Sequence, residues 1–235
     1  GKVVKPILTY VNYMSGPCDI YLAAGTPCVA AHSVIRSLYS APKATALYEI
    51  TRGSDNLTQT INTHPSSGIA ATAGVAAFCL DGTCTITTIY DQSPKLNHIT
   101  LAPPGGAHHA ADLGVNATRE SLTVAGTSVY AAMFEGTGHG YRKEDTTGVA
   151  TGDDPETIYM VTSGTHFNGG CCFDYGNAET DALDHGPGTM EVRLSPPTTI
   201  PSASTLTSTL LNEPPRLCIG ATPAAGGRGR ATGRG

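Results

Sequence analysis

This sequence predicts an all-β fold, a sandwich or jelly roll, and three observations carry that prediction. Short apolar stretches recur between clusters of Gly, Pro, Asn and Asp, which is the pattern of strands joined by tight turns. Long runs of Leu, Glu and Lys at helical spacing are missing, while glycine alone counts 28 residues. Charged residues make up only 14%, against roughly 25% in ordinary soluble domains. A chain of 235 residues is long enough to bury one such core.

The elements follow in order. Residues 1–15 (GKVVKPILTYVNYMS) predict an N-terminal extension. Lys2 and Lys5 precede a short apolar run broken by Tyr10, Asn12 and Tyr13, and no small-x-small cleavage site follows. Residues 29–39 (VAAHSVIRSLY) predict a helix, because Val29, Ala30, Val34 and Leu38 fall near one helical face. Residues 46–51 (ALYEIT) alternate and predict a strand. Residues 85–90 (TITTIY) are rich in β-branched side chains and predict another, ending in a turn at Asp91. Residues 122–130 and 157–162 (TIYMVT) predict further strands between Gly-rich connectors. No stretch approaches the roughly 20 apolar residues that a membrane-spanning helix needs.

Near residue 192 the composition shifts. Residues 193–235 hold five Arg against one acidic residue, Glu213, formally +4, which leaves −9 of the net −5 charge on residues 1–192. Pro, Ser and Thr alternate there and the end is GGRGRATGRG. Such a composition predicts a largely disordered tail, either a linker or sequence read from a wrong frame or a retained intron. The negative net charge argues against a nucleic-acid partner.

Seven cysteines occur. Six fall into three groups, Cys18/Cys28, Cys79/Cys84 and Cys171/Cys172, with Cys218 left over in the tail. Zinc sites favour cysteines two to four residues apart with regularly spaced His partners, and these groups do not give that pattern. Short disulfides, Cys18–Cys28 and Cys79–Cys84, suit an oxidising compartment better. The sequons Asn56-Leu57-Thr58 and Asn116-Ala117-Thr118 agree with secretion and glycosylation at Asn56 and Asn116. His108 and His109 are adjacent, so their rings diverge in a strand, and no metal or cofactor is expected. No G-x-S-x-G elbow marks a serine nucleophile.

The adjacent pair Cys171-Cys172 leaves two alternatives open. Neighbouring Cα atoms lie about 3.8 Å apart across a trans peptide, below the usual disulfide window of about 4.4–6.8 Å. The two thiols either close a tight, strained ring, permitted by Gly169, Gly170 and Gly176, or stay reduced or separately paired.

Several stretches resemble the catalytic domain of fungal α-L-arabinofuranosidase B, glycoside hydrolase family 54. They are GPCDIY (16–21), TPCVAAHS (26–33), RGSD (52–55), IYDQS (89–93), Asn97-His98, APPGG (102–106), GTHFNGGCCFDYGNAET (164–180) and GTME (188–191). They run in the family's order over residues 16–192. The resemblance implies a concanavalin-like jelly-roll β-sandwich, of which residues 16–192 form an incomplete part, in a secreted, monomeric enzyme without cofactor. Such an enzyme removes terminal α-L-arabinofuranosyl groups from arabinan and arabinoxylan of the plant cell wall, with retention of configuration. It also implies that Cys171 and Cys172 bond to each other and form an apolar floor for the arabinose ring. Asp174 and Glu179 are the nearby carboxylates able to accept sugar hydroxyls, and capping a turn is the alternative role for each. The family's catalytic carboxylates follow the GTME-like stretch. No position in residues 193–235 matches either of them, so the catalytic residues are left unassigned, and a non-catalytic carbohydrate-binding remnant is the competing expectation. Asp91, Gln92, Asn97 and His98 are expected to fix a loop rather than perform chemistry.

Overall fold

The computed structural model describes residues 15–40, 45–104, 110–134, 138–150, 154–162, 173–176, 190–194 and 218–222. In chain order it contains α1 (Pro17–Ala23), β1 (Ala30–Ser33), β2 (Ala46–Arg52), β3 (Thr58–Asn62), α2 (Val75–Phe78), β4 (Cys84–Ile89) and β5 (Ile99–Leu101). β6 (Glu120–Val124), β7 (Thr127–Ala131), β8 (Gly140–Lys143), β9 (Thr157–Met160), β10 (Phe173–Gly176), β11 (Met190–Leu194) and β12 (Cys218–Thr222) follow. The all-β expectation holds. A seven-stranded sheet runs β10-β11-β8-β5-β4-β2-β3, a three-stranded sheet runs β1-β12-β9, and β6 and β7 pair alone. Every named strand pairing is antiparallel. Among the described residues no helix is long and apolar enough to cross a membrane.

Two bulges tune the large sheet. Tyr48 pairs with Ile61 while Ala46 pairs with Asn62, so Leu47 is an extra residue in β2. Glu49 pairs with Thr88 while Ile50 pairs with Ile86, so Thr87 is an extra residue in β4. An inserted residue resets the two-residue alternation of a strand. That is why Leu47 and Tyr48, adjacent in sequence, are both fully buried, and why Ile86 and Ile89, three apart, are too. These side chains join Ile35, Ile61, Ile99, Val115, Val129 and Tyr141 in one apolar core, which also takes in Ala30 of β1.

The β5 side of β4 is shared. β5 covers only Thr88 and Ile89; below them the stretch 114–117 takes over. Ile86 donates its N–H to the Val115 carbonyl (2.9 Å), and Ala117 donates to Cys84 (2.9 Å). The buried Tyr141 hydroxyl locks this junction by donating to the Ile86 carbonyl (2.8 Å) and accepting from Val115 N–H (2.9 Å). Burial pushes the Tyr141 phenol well above its ordinary pKa.

Two sequence expectations need correction. Residues 29–39 are not helical: β1 occupies Ala30–Ser33 and bends follow. Residues 28–35 are buried without interruption, and a segment buried on every side gives no periodicity that separates helix from interior strand. Residues 122–130 form a hairpin rather than one strand. Ala125 (φ 47°) and Gly126 (φ 77°) make its two-residue turn, the left-handed pair that a tight hairpin needs. Two described stretches of the tail pair with the sheets. β11 runs on to Leu194, and β12 inserts between β1 and β9, pairing Ile219 with both His32 and Met160. Backbone pairing with two waiting edges orders a segment whose composition alone gives no such signal.

Cys18–Cys28 and Cys79–Cys84 are bonded as expected, each with Cα atoms 5.5 Å apart. The Cys79–Cys84 bond ties α2 to the start of β4, where Cys84 is fully buried. Replacing both Cys79 and Cys84 by serine is expected to lower unfolding free energy by about 2–3 kcal/mol in urea titration. A change under about 0.5 kcal/mol would assign the loop's order to its other contacts.

Candidate functional site

The strongest polar organisation in the described structure surrounds Asp91, in the connection between β4 and β5. Its carboxylate is buried. Oδ1 accepts the N–H groups of Ala31 (2.7 Å) and Ser93 (2.7 Å). Oδ2 accepts the N–H of Asn97 (2.8 Å) and lies 2.6 Å from the Ser93 hydroxyl. Four donors around two oxygens replace the hydration a buried carboxylate loses. Both carboxylate oxygens of Asp91 are thus fully engaged within the protein, which makes it a brace for the loop.

The neighbours extend this lattice across the two sheets. Gln92 accepts from Leu38 N–H (2.8 Å) and donates to the Arg36 carbonyl (3.2 Å). Asn97 donates to the carbonyls of Val29 (2.8 Å) and Thr147 (3.0 Å) and accepts from Thr147 N–H (2.8 Å). His98 Nδ1 accepts the Asp91 N–H (2.9 Å), and the His98 ring meets Tyr90 edge-on. Asp91, Gln92, Asn97 and His98 therefore do the loop-fixing work the sequence suggested.

His32 on β1 joins this lattice to β10. Its Nε2 faces the Asn97 carbonyl (2.8 Å) and must carry a proton; in the neutral ring Nδ1 then accepts from the Tyr175 hydroxyl (3.1 Å). That assignment requires a neutral ring. Burial pulls the His32 pKa below its ordinary value, against the opposing pull of Asp91, and burial raises Tyr175 well above the usual phenol range. Tyr175 lies three residues beyond Cys172, so the hydrogen bond fixes the strand that continues the cysteine segment.

A pH dependence follows. The unfolded imidazole titrates near 6.5 and the folded one lower, so below about pH 6.5 the unfolded chain binds more protons than the native one. Stability from the neutral ring is therefore complete above that pH and is lost as pH falls toward the folded value. The expected slope from His32 reaches at most about 1.4 kcal/mol per pH unit. Thermal melts between pH 7.5 and 5 should show it. His32→Gln should lower the melting temperature at pH 7.5 and flatten the slope; an unchanged slope would place the titrating group elsewhere.

Of the residues singled out for sugar binding, Asp174 lies in β10, its backbone opposite Arg193 of β11. Cys171, Cys172 and Glu179 lie outside the described residues. Asn56 is exposed at the β2–β3 turn, while Asn116 is half-buried and its Oδ1 accepts from the N–H and hydroxyl of Thr118 (2.9 and 3.2 Å). Sequence reasoning did not single out His32 or Tyr175. Both fall inside stretches that carry the resemblance, TPCVAAHS and CCFDYGNAET, and that was the available signal.

The sequence matches the family described as "Alpha-L-arabinofuranosidase B, catalytic" over residues 17–204. The chain belongs to this family. It is similar to α-L-arabinofuranosidase B of Aspergillus niger, 49% identical over 181 residues that cover 75% of this chain and 36% of the relative. The probable α-L-arabinofuranosidase B of Aspergillus terreus is 50% identical over 181 residues, covering 75% and 35%. A solved arabinofuranosidase in complex with arabinofuranosyl-α-1,2-xylobiose superposes with a TM-score of 0.65 at 50% identity, over 70% of this chain and 35% of that one. An arabinofuranosidase of glycoside hydrolase family 54 soaked with a cyclic sulfate inhibitor gives 0.65 at 49% identity with the same coverage. The chain thus spans about a third of the length of the curated arabinofuranosidases it matches. The family match runs through the Asp91 lattice, Tyr175 and the Cys171-Cys172 pair, and the β-sandwich class agrees with these solved relatives.

Proposed function

We propose that this chain supplies the sugar-recognising part of an α-L-arabinofuranosidase, a retaining hydrolase that removes terminal non-reducing α-L-arabinofuranosyl groups from arabinan and arabinoxylan. The observation that carries this reading is the match over residues 17–204, which includes the CCFDYGNAET segment. Cys171 and Cys172, joined in a ring, offer a rigid apolar face to the furanose. Asp174 and Glu179 accept its hydroxyl hydrogens. β10 follows the cysteines directly in sequence, and the buried His32–Tyr175 bond holds β10 to β1.

Retaining cleavage requires two carboxyl groups about 5–5.5 Å apart, one as nucleophile and one as acid and then base. Asp91 is not one of them, because all of its acceptor positions are engaged within the protein. The natural substrate is an arabinose-containing polysaccharide of the plant cell wall, met outside the cell by a secreted monomer. The two short disulfides and the sequons support that location.

The test has two arms. Release of p-nitrophenol from p-nitrophenyl α-L-arabinofuranoside is measured against heat-killed protein, and binding of arabino-oligosaccharide by titration calorimetry. Binding that disappears in Cys171→Ser/Cys172→Ser supports the recognition role, with turnover extending it to the complete activity. Folded protein that neither binds nor cleaves would overturn the reading.

A further inference from the structure

Asn56 opens the sequon Asn56-Leu57-Thr58 at the tip of the β2–β3 hairpin, and all three residues are exposed. Asn56 adopts φ 60°, a left-handed conformation that asparagine tolerates better than most residues. Its backbone N–H donates to the Arg52 carbonyl (2.9 Å). Its side-chain amide makes no hydrogen bond to the described residues. The tip is held firmly from below. Arg52 grips both oxygens of Asp55 (3.0 and 2.6 Å), donates to the Phe78 carbonyl (2.8 Å) and lies 4.7 Å above the Phe78 ring. The exposed amide therefore stands on a firmly held turn.

The sequon adjoins an open sheet edge. β3 is the last strand of the seven-stranded sheet. Arg52 N–H bonds the Leu57 carbonyl, and bonded pairs alternate along an antiparallel ladder. The backbone groups of Thr58, Thr60 and Asn62 consequently face outward. The Asn62 carbonyl is covered, because it accepts Ala71 N–H (2.8 Å). Among the described residues nothing pairs with Thr58 and Thr60, and their side chains are exposed. This bare half of the edge is the half beside Asn56. An unpaired edge is a template for association with another chain, and β3 itself (TQTIN) carries no charge, proline or bulge to prevent it.

We propose that Asn56 carries an N-linked glycan in the secreted protein, and that this glycan shields the open half of β3 against edge-to-edge association. The proposal depends on passage through a secretory pathway and not on the arabinofuranosidase reading. Its test uses the chain secreted from a eukaryotic host behind a secretion leader. Peptide mapping after enzymatic deglycosylation in heavy-oxygen water reads occupancy at Asn56 directly. The folded glycoprotein is then trimmed with an endoglycosidase, so that folding is already complete, and its aggregation at mild heat is followed by light scattering. An occupied Asn56, with several-fold faster aggregation after trimming, is expected. Thr60→Lys, which places a charge on the same edge, should restore slow aggregation in the Asn56→Gln protein. An unmodified Asn56 would overturn the assignment. Unchanged aggregation after trimming, or no rescue by Thr60→Lys, would overturn the shielding role.

Discussion

Replacing Asp91 by alanine is expected to destabilise the protein by about 4 kcal/mol or more, because several buried donors lose a charged acceptor at once. Three of those donors are backbone N–H groups, from Ala31, Ser93 and Asn97. They belong to β1 and to the loop between β4 and β5, so the loss reaches both sheets. Ala31 and Asn97 are also fully buried, which restricts replacement by water. Asp91→Asn should cost about half as much, since one oxygen still accepts while the new amide faces donors. The chain has no tryptophan, so far-UV circular dichroism in urea is the suitable readout. A loss below about 1 kcal/mol for the alanine variant would mean that solvent replaces the carboxylate and that the lattice is not what fixes the loop.

The second large effect is expected at Gly114. A β-carbon there would fall inside the contact distance of the Ile86 backbone carbonyl, and would press on Leu101 and Thr85 as well (3.2 Å each). A flexible side chain could move aside; a carbonyl in the middle of β4 cannot without breaking its ladder. The same carbonyl receives the Tyr141 hydroxyl, and Ile86 N–H bonds Val115 beside the glycine. Gly114→Ala is therefore expected to remove about 3 kcal/mol or more, at the upper end of overpacking effects. Gly126→Ala is the internal comparison. Nothing lies within 4 Å of a β-carbon at that turn, where only the left-handed backbone is at stake, so it should lose about 1 kcal/mol. Equal losses at the two sites would refute the collision argument.

Both effects rest on contacts between segments far apart in the chain, and that separation governs how much could be read beforehand. β2, β4 and β9 were legible because their β-branched and alternating residues carry a local signal. The residues 29–39 were misread because a strand buried on every side shows no alternation that tells it from a buried helix. The turn at Ala125–Gly126 was missed because alanine is not a residue that ordinarily announces φ above zero. Cys18–Cys28 and Cys79–Cys84 were visible from short spacing, since cysteines so close have few other partners.

The amino-acid sequence alone determined the all-β class, the two short disulfides and the family, because each is written in local composition or in an ordered run of motifs. Only the tertiary structure decided that Asp91 is a brace, that His32 is buried and bonded to Tyr175, that β12 fills the gap between β1 and β9, and that half of β3 is bare. Those facts depend on which distant groups arrive beside one another. A carboxylate, an imidazole or a strand edge takes its role from the donors and partners that surround it, and these are set by packing rather than by neighbours in the chain.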